Sequence, residues 1–204
     1  MVTAIYALIL RAFADVPIAE KLLVLLIFND PALLGLLFVG VMVLMERDER
    51  VLSALAVLPL PKWQFIWLRV GLLSTLATLA AGAMALSVRG VGAIHWGHFV
   101  AASGLTSVFF GLMGFVVVAR SRSFNDYIMS AVGAILLLSL PFLGYFGLGE
   151  WAYYAALPTQ AAVDAFGFAF VSYEASWTHF FYAYAYLLFC CIIAHYWALR
   201  RFNF

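Results

Sequence analysis

The sequence predicts an all-α integral membrane protein of about six transmembrane helices, the first one incomplete, in a single domain covering residues 1–204. Three observations predict it. The chain is 67% hydrophobic and only 10% charged, whereas soluble domains are about half apolar and about a quarter charged. Apolar runs long enough to cross a bilayer, about 20 residues each, recur along the chain. Lysine and arginine gather at alternate ends of those runs, as the positive-inside rule requires.

The elements follow in order. Thr3–Phe13 is apolar but short and reads as the end of a helix whose start is missing. Leu22–Met45 is interrupted by Asn29-Asp30-Pro31. Asp30 suits an N-cap and Pro31 the first helical position, so the span is predicted to start at Pro31, with Leu22–Phe28 at the interface. Val70–Val88, Gly97–Ala119, Tyr127–Gly147 and His179–Leu199 are four uninterrupted spans. Along Val70–Val88, Ala77, Ala81 and Ala85 are spaced by four, as are Ser74, Thr78 and Gly82. Ser103, Ser107 and Gly111 repeat the pattern on the next span. Small residues so spaced let helices approach closely.

Charge placement orients the chain. With the C-terminus inside, the inner segments hold Arg47, Arg50, Lys62, Arg69, Arg120, Arg122, Arg200 and Arg201, and the outer ones Arg11, Lys21 and Arg89. Trp63, Trp67 and Trp197 fall at inner boundaries and Trp96, Trp151 and Trp177 at outer ones, where aromatic belts belong.

Glu46, Arg47, Asp48, Glu49 and Arg50 form a run of five charges between two apolar stretches. Burying the run in hydrocarbon would cost on the order of 10 kcal/mol, so it is predicted to lie in water on the cytoplasmic side. Val51, Leu52, Leu55 and Leu58 then follow at helical spacing until Pro59 and Pro61 stop the pattern. A short cytoplasmic helix over Arg47–Val57 is the expectation. A second irregular segment, Gly149–Thr178, is outside by topology yet mostly apolar, and it contains Pro158, Asp164 and Glu174. A re-entrant or interfacial pair of short helices fits it, because such backbone is tolerated when protein buries it.

The chemistry available is narrow. A P-loop needs Gly-Lys followed by Ser or Thr, and Lys21 and Lys62 are followed by Leu and Trp. This chain therefore does not hydrolyse ATP by a Walker mechanism. With net charge +1 and no basic stripe, it offers no nucleic-acid surface. Cys190 and Cys191 are adjacent in an apolar run and read as packing residues. His95 and His98 lack a nearby carboxylate or thiolate ligand and read as interfacial, so no metal site is expected. An intramembrane serine protease would cast Ser103 as nucleophile and His195 as base. Rhomboid proteases carry Gly-x-Ser-Gly, however, and Ala101 takes the first glycine's place. Ser103 also belongs to the outer side and His195 to the inner. No catalytic residue is assigned. None of the four uninterrupted spans has an ionisable residue at its centre, which argues against ion coupling.

The stretch from Met45 to Arg69 resembles the coupling-helix region of permeases in the type-2 exporter family of ABC transporters. That family usually has a Glu, a few charges, Gly-Thr-Leu, a spaced Leu and a Pro, then a Lys opening the next helix. Glu46, Leu52, Leu55 and Pro59 match. Arg69 takes the Lys place, and Arg50 and Val51 replace the Gly-Thr pair. "FNDPALLGLLFVG" (Phe28–Gly40), "ARSRSFNDYIMS" (Ala119–Ser130) and "LPTQAAV" (Leu157–Val163) are most similar to the fluoroquinolone-export permeases.

The resemblance implies a permease subunit of an ATP-driven exporter in the plasma membrane, moving a hydrophobic or amphipathic small molecule. It implies a separate cytoplasmic ABC ATPase subunit and a second permease copy or sibling permease. No cofactor is expected to bind this chain directly, ATP being used by the partner. The ATPase-contacting set is expected to be Glu46, Arg47, Glu49, Arg50, Leu52 and Leu55. The alternatives are the protease and a non-transporting membrane assembly subunit.

Overall fold

The structure is a computed structural model and describes residues 17–50, 61–90, 92, 94–147, 150–170 and 177–202. Thr3–Phe13 and residues 51–60, with Leu52 and Leu55, lie outside the described residues. The elements are α1 (Pro17–Leu33), a π-helical turn π1 (Leu34–Phe38), α2 (Val39–Asp48), α3 (Lys62–Arg89), α4 (Trp96–Val118), α5 (Phe124–Leu138), α6 (Pro141–Tyr145), α7 (Trp151–Tyr154), α8 (Pro158–Gly167) and α9 (Trp177–Arg201). Among the described residues, five stretches are long and apolar enough to span a membrane: Lys21–Asp48, Lys62–Arg89, Trp96–Val118, Phe124–Tyr145 and Thr178–Arg201.

The break expected at Asn29-Asp30-Pro31 is absent. Helix α1 runs through all three residues and passes directly into π1 and α2. Proline removes one backbone donor from a helix. In an apolar setting, ending the helix would orphan several backbone groups, whereas a local π adjustment keeps them paired. Most of Leu22–Phe28 packs into the protein interior: Leu23, Val24, Ile27 and Phe28 are all buried. Phe28 meets Phe110, Phe142 and Phe166 edge-on at centroid distances of 5.7, 4.9 and 6.3 Å. Interior packing decides the position of this segment, not its N-cap signal.

Helix α4 is the hub on which α1, π1, α2, α3, α5, α8 and α9 pack. It is apolar all round, as a core helix is. The small-residue stripes meet here. Ala77, Ala81, Ala85, Ser103 and Ser107 are buried, and Ser103 Oγ donates to Thr78 Oγ1 at 3.4 Å. Without a hydrophobic driving force between helices in lipid, such close van der Waals contact is what holds them.

The π turn is set tightly into α4. A Cβ at Gly35 would come within 2.9 Å of Gly111 N, and one at Gly114 within 2.9 Å of Leu36 O. Tyr127, fully buried on α5, donates its hydroxyl to Leu36 O inside the turn. Helix α5 starts with a capping arrangement: Ser123 Oγ accepts from Asp126 N at 3.2 Å, and Asp126 Oδ2 accepts from Arg122 N at 2.9 Å.

The segment before the last span is a pair of short helices, α7 and α8. Leu157 is extended and Pro158 opens α8. From Thr159 to Gly167 every residue of α8 is buried, against α9, α4, α1 and α6. An antiparallel bridge between Ile94 and Phe170, with His95 N donating to Ala169 O at 2.8 Å, ties its far end to the entry of α4.

Candidate functional site

At the end of α2 the charged run does not form one solvated knot. Arg47 and Asp48 are the last turn of α2, so the short helix expected over Arg47–Val57 does not begin at Arg47. Glu49 and Arg50 form a turn, with Glu49 N donating to Met45 O at 2.9 Å and Arg50 N to Arg47 O at 3.1 Å. Arg50 has φ +59°, in the left-handed region that ends helices and favours glycine. Arg50 stands where the resembled family usually has Gly, and it adopts the conformation a Gly would supply.

The five charges divide. Glu46 pairs with Arg69 of α3, their side chains 16% and 23% exposed. Arg47 Nη1 donates to Ser121 O at 3.0 Å in the α4–α5 turn. Arg47, Asp48, Glu49 and Arg50 are exposed, and Glu46 alone of the five is half-buried. The Arg69 guanidinium also lies 5.2 Å from the Phe65 ring. Phe65 stacks on Phe202 just beyond α9 (5.7 Å, 8°), and Phe202 meets Phe115 of α4 edge-on at 5.2 Å. Helices α2, α3, α4 and the end of α9 are thus tied at one face by one ion pair, one charged hydrogen bond and an aromatic cluster. Trp63 and Trp67 are exposed beside it.

The opposite end holds a polar site, centred on Asp164, that the sequence reading of Gly149–Thr178 did not single out. Asp164 is buried, 4% exposed. Its Oδ1 accepts from Gln160 Nε2 at 3.0 Å, and its Oδ2 lies 3.8 Å from His179 Nδ1 on α9. Gln160 and Asp164 are four apart, one face of one helical turn, and that spacing was the available signal. Tyr182 and Tyr186 of α9 donate to Ala155 O at 2.5 Å and Ala156 O at 2.7 Å, fastening the α7–α8 turn to α9.

The remaining candidates separate. Ser103 is bonded to Thr78, while the His195 ring lies 5.4 Å from that of Trp67. Thr78 and Trp67 are eleven residues apart on α3, about 16 Å along its axis, so the structure does not bring Ser103 and His195 together. His98 Nδ1 lies 3.2 Å from Tyr184 Oη, and its ring meets those of His95 and Phe180. Among the described residues no group of three or more His, Cys, Asp or Glu could hold a metal. Cys190 and Cys191 are buried and unbridged.

No solved structure matches the chain. Two curated relatives, fluoroquinolones export permease proteins of the CDC 1551 and H37Rv strains of Mycobacterium tuberculosis, are each 29% identical over 155 residues. The aligned part is 76% of this chain and 64% of each relative, so the chain spans less than two thirds of their length. The model of the fluoroquinolones export permease protein family matches residues 2–204. With four further membrane-length stretches packed around α4 among the described residues, and a match over nearly its whole length, this chain belongs to the fluoroquinolones export permease protein family.

Proposed function

We propose that the chain is a permease subunit of an ATP-driven ABC exporter in the plasma membrane, moving a hydrophobic or amphipathic small molecule outward. The charged face around α2 and α3 is its cytoplasmic side, in keeping with the distribution of lysine and arginine. A separate ABC ATPase docks there, and a second permease copy or a sibling permease completes the transporter. The relatives' names point to fluoroquinolones as candidate cargo.

The observation that carries the reading is the division of the charged run. Glu46 and Arg47 anchor it to the rest of the chain, while Glu49 and Arg50 present free charge on a sharp turn. Of the set expected to contact the ATPase (Glu46, Arg47, Glu49, Arg50, Leu52 and Leu55), Glu49 and Arg50 offer their charges to the partner, while Glu46 supports the turn from within through Arg69. An anchored charged turn suits a lever: a push on it reaches α2 and α3 together, and its charges set register on the partner. Asp164 and the buried α8 would shape the exit.

The test uses Glu49→Ala with Arg50→Gly, which strips the two charges on the turn itself while keeping a residue suited to positive φ. Co-purification with a co-expressed ABC ATPase subunit, and ATPase-driven efflux in vesicles, should both fall at least severalfold with normal insertion. Unchanged association and efflux would overturn the assignment of this face.

A further inference from the structure

Helices α5 and α9 both lean on α4, and between them runs an open groove of about 200 Å³. Its floor is Phe109 and Met113 of α4. Leu138 of α5 lines one side, and Cys190, Ile193 and Trp197 of α9 line the other. The lining is wholly apolar. From Cys190 to Trp197 the groove follows α9 for about 10 Å, parallel to the direction in which lipid chains lie. About one turn beyond Trp197, α9 ends in two cations. The Arg201 guanidinium sits 5.9 Å from the Trp197 ring, and Arg200 sits 4.3 Å from the neighbouring Tyr196 ring. Both arginines are exposed, and no carboxylate among the described residues pairs with either.

We propose that this groove is a phospholipid site: it takes one acyl chain of an anionic phospholipid whose phosphate sits on Arg200 and Arg201. The two halves of the site call for different chemistry, and they lie in the order in which a lipid carries it. A slot with no polar atom to offer would strand the charges of a polar solute. A flexible hydrocarbon chain costs nothing there, and guanidinium groups are the best side chains for a phosphate. Trp197 marks the boundary between the two, as interfacial tryptophans do. The inference needs α9 to span the membrane and does not depend on what the permease carries.

The experiment is native mass spectrometry of the full chain released from nanodiscs of equal phosphatidylglycerol and phosphatidylcholine. The wild type should retain one phosphatidylglycerol per chain in preference to phosphatidylcholine. Removing both cations, Arg200→Gln with Arg201→Gln, should cut that preference by about 30-fold, about fivefold per arginine. Filling the groove with Cys190→Trp should abolish retention of either lipid. Ile193→Trp carries the same test should the first variant not fold. Ile192→Trp, at a position 66% exposed and outside the groove, should leave retention as in the wild type. Equal retention in the groove-filled and wild-type chains would overturn the proposal. So would loss of a self-dimer on filling the groove with lipid retention unchanged, since a second copy would then be its occupant.

Discussion

The ion pair between Glu46 and Arg69 gives the sharpest test of how α2 and α3 are joined. Its side chains are 16% and 23% exposed, which places it between two regimes. Fully exposed pairs contribute at most about 1 kcal/mol, and removing one partner of a buried pair costs about 3–5 kcal/mol. Glu46→Gln or Arg69→Gln alone should therefore cost about 2 kcal/mol, mostly because the remaining charge is left half-buried without its partner. For a chain of this length that is a fall of about 4–8 °C in the melting temperature, readable by thermal unfolding in detergent. Neutralising both residues removes the stranded charge, so the double variant should lose little more than either single one. The swap Glu46→Arg with Arg69→Glu should recover at least half the loss. If the two single losses simply add, the residues are not coupled and the anchoring of the charged turn to α3 is wrong.

Two further outcomes follow from close contacts. Asp164→Ala should destabilise by about 1–3 kcal/mol because Gln160 Nε2 is left buried without its acceptor, and Asp164→Asn, which keeps an acceptor, should recover more than half. Equal melting temperatures for the two variants would remove the hydrogen bond from the account of how α8 is held. Gly40→Ala drives a methyl group into the Tyr127 ring and should cost at least about 1–3 kcal/mol; Tyr127→Ala in the same chain should relieve part of that loss, and a neutral Gly40→Ala would contradict the packing of α2 on α5.

Much of the fold was legible because long apolar runs permit few alternatives. Three of the four spans run as single helices as read, and the small-residue interface of α3 and α4 and the paired short helices before α9 also follow from composition and spacing; Tyr127–Gly147 instead turns at Ser139–Leu140, ahead of Pro141, into α5 and α6. What was not legible depended on partners distant in sequence. Asp30 and Pro31 carry a strong local start signal, yet the burial of Leu23, Ile27 and Phe28 against α4 and α8 keeps the helix whole. The five charges read as one solvated unit, because nothing in the run reveals that Glu46 faces Arg69, 23 residues on, or that Arg47 reaches Ser121, 74 residues on. Asp164 was placed in a pair of short helices, but nothing local to it reveals that α9 and α4 close over it. Arg50 was the converse case. Its place opposite a family glycine was a departure that left the local turn open, and its φ of +59° shows a glycine-like turn kept by an arginine.

The π turn has a consequence for phase. A π turn amounts to one residue inserted into an α-helix, and one residue is about 100° of rotation. The faces of α1 and α2 are therefore out of step across Leu34–Phe38, and no single helical wheel describes the whole span. Deleting one residue there would straighten the ladder but turn everything beyond it by more than a quarter revolution, carrying Glu46 away from Arg69. The alignment of the charged face with α3 is thus set about ten residues earlier, where glycines lock the turn into α4.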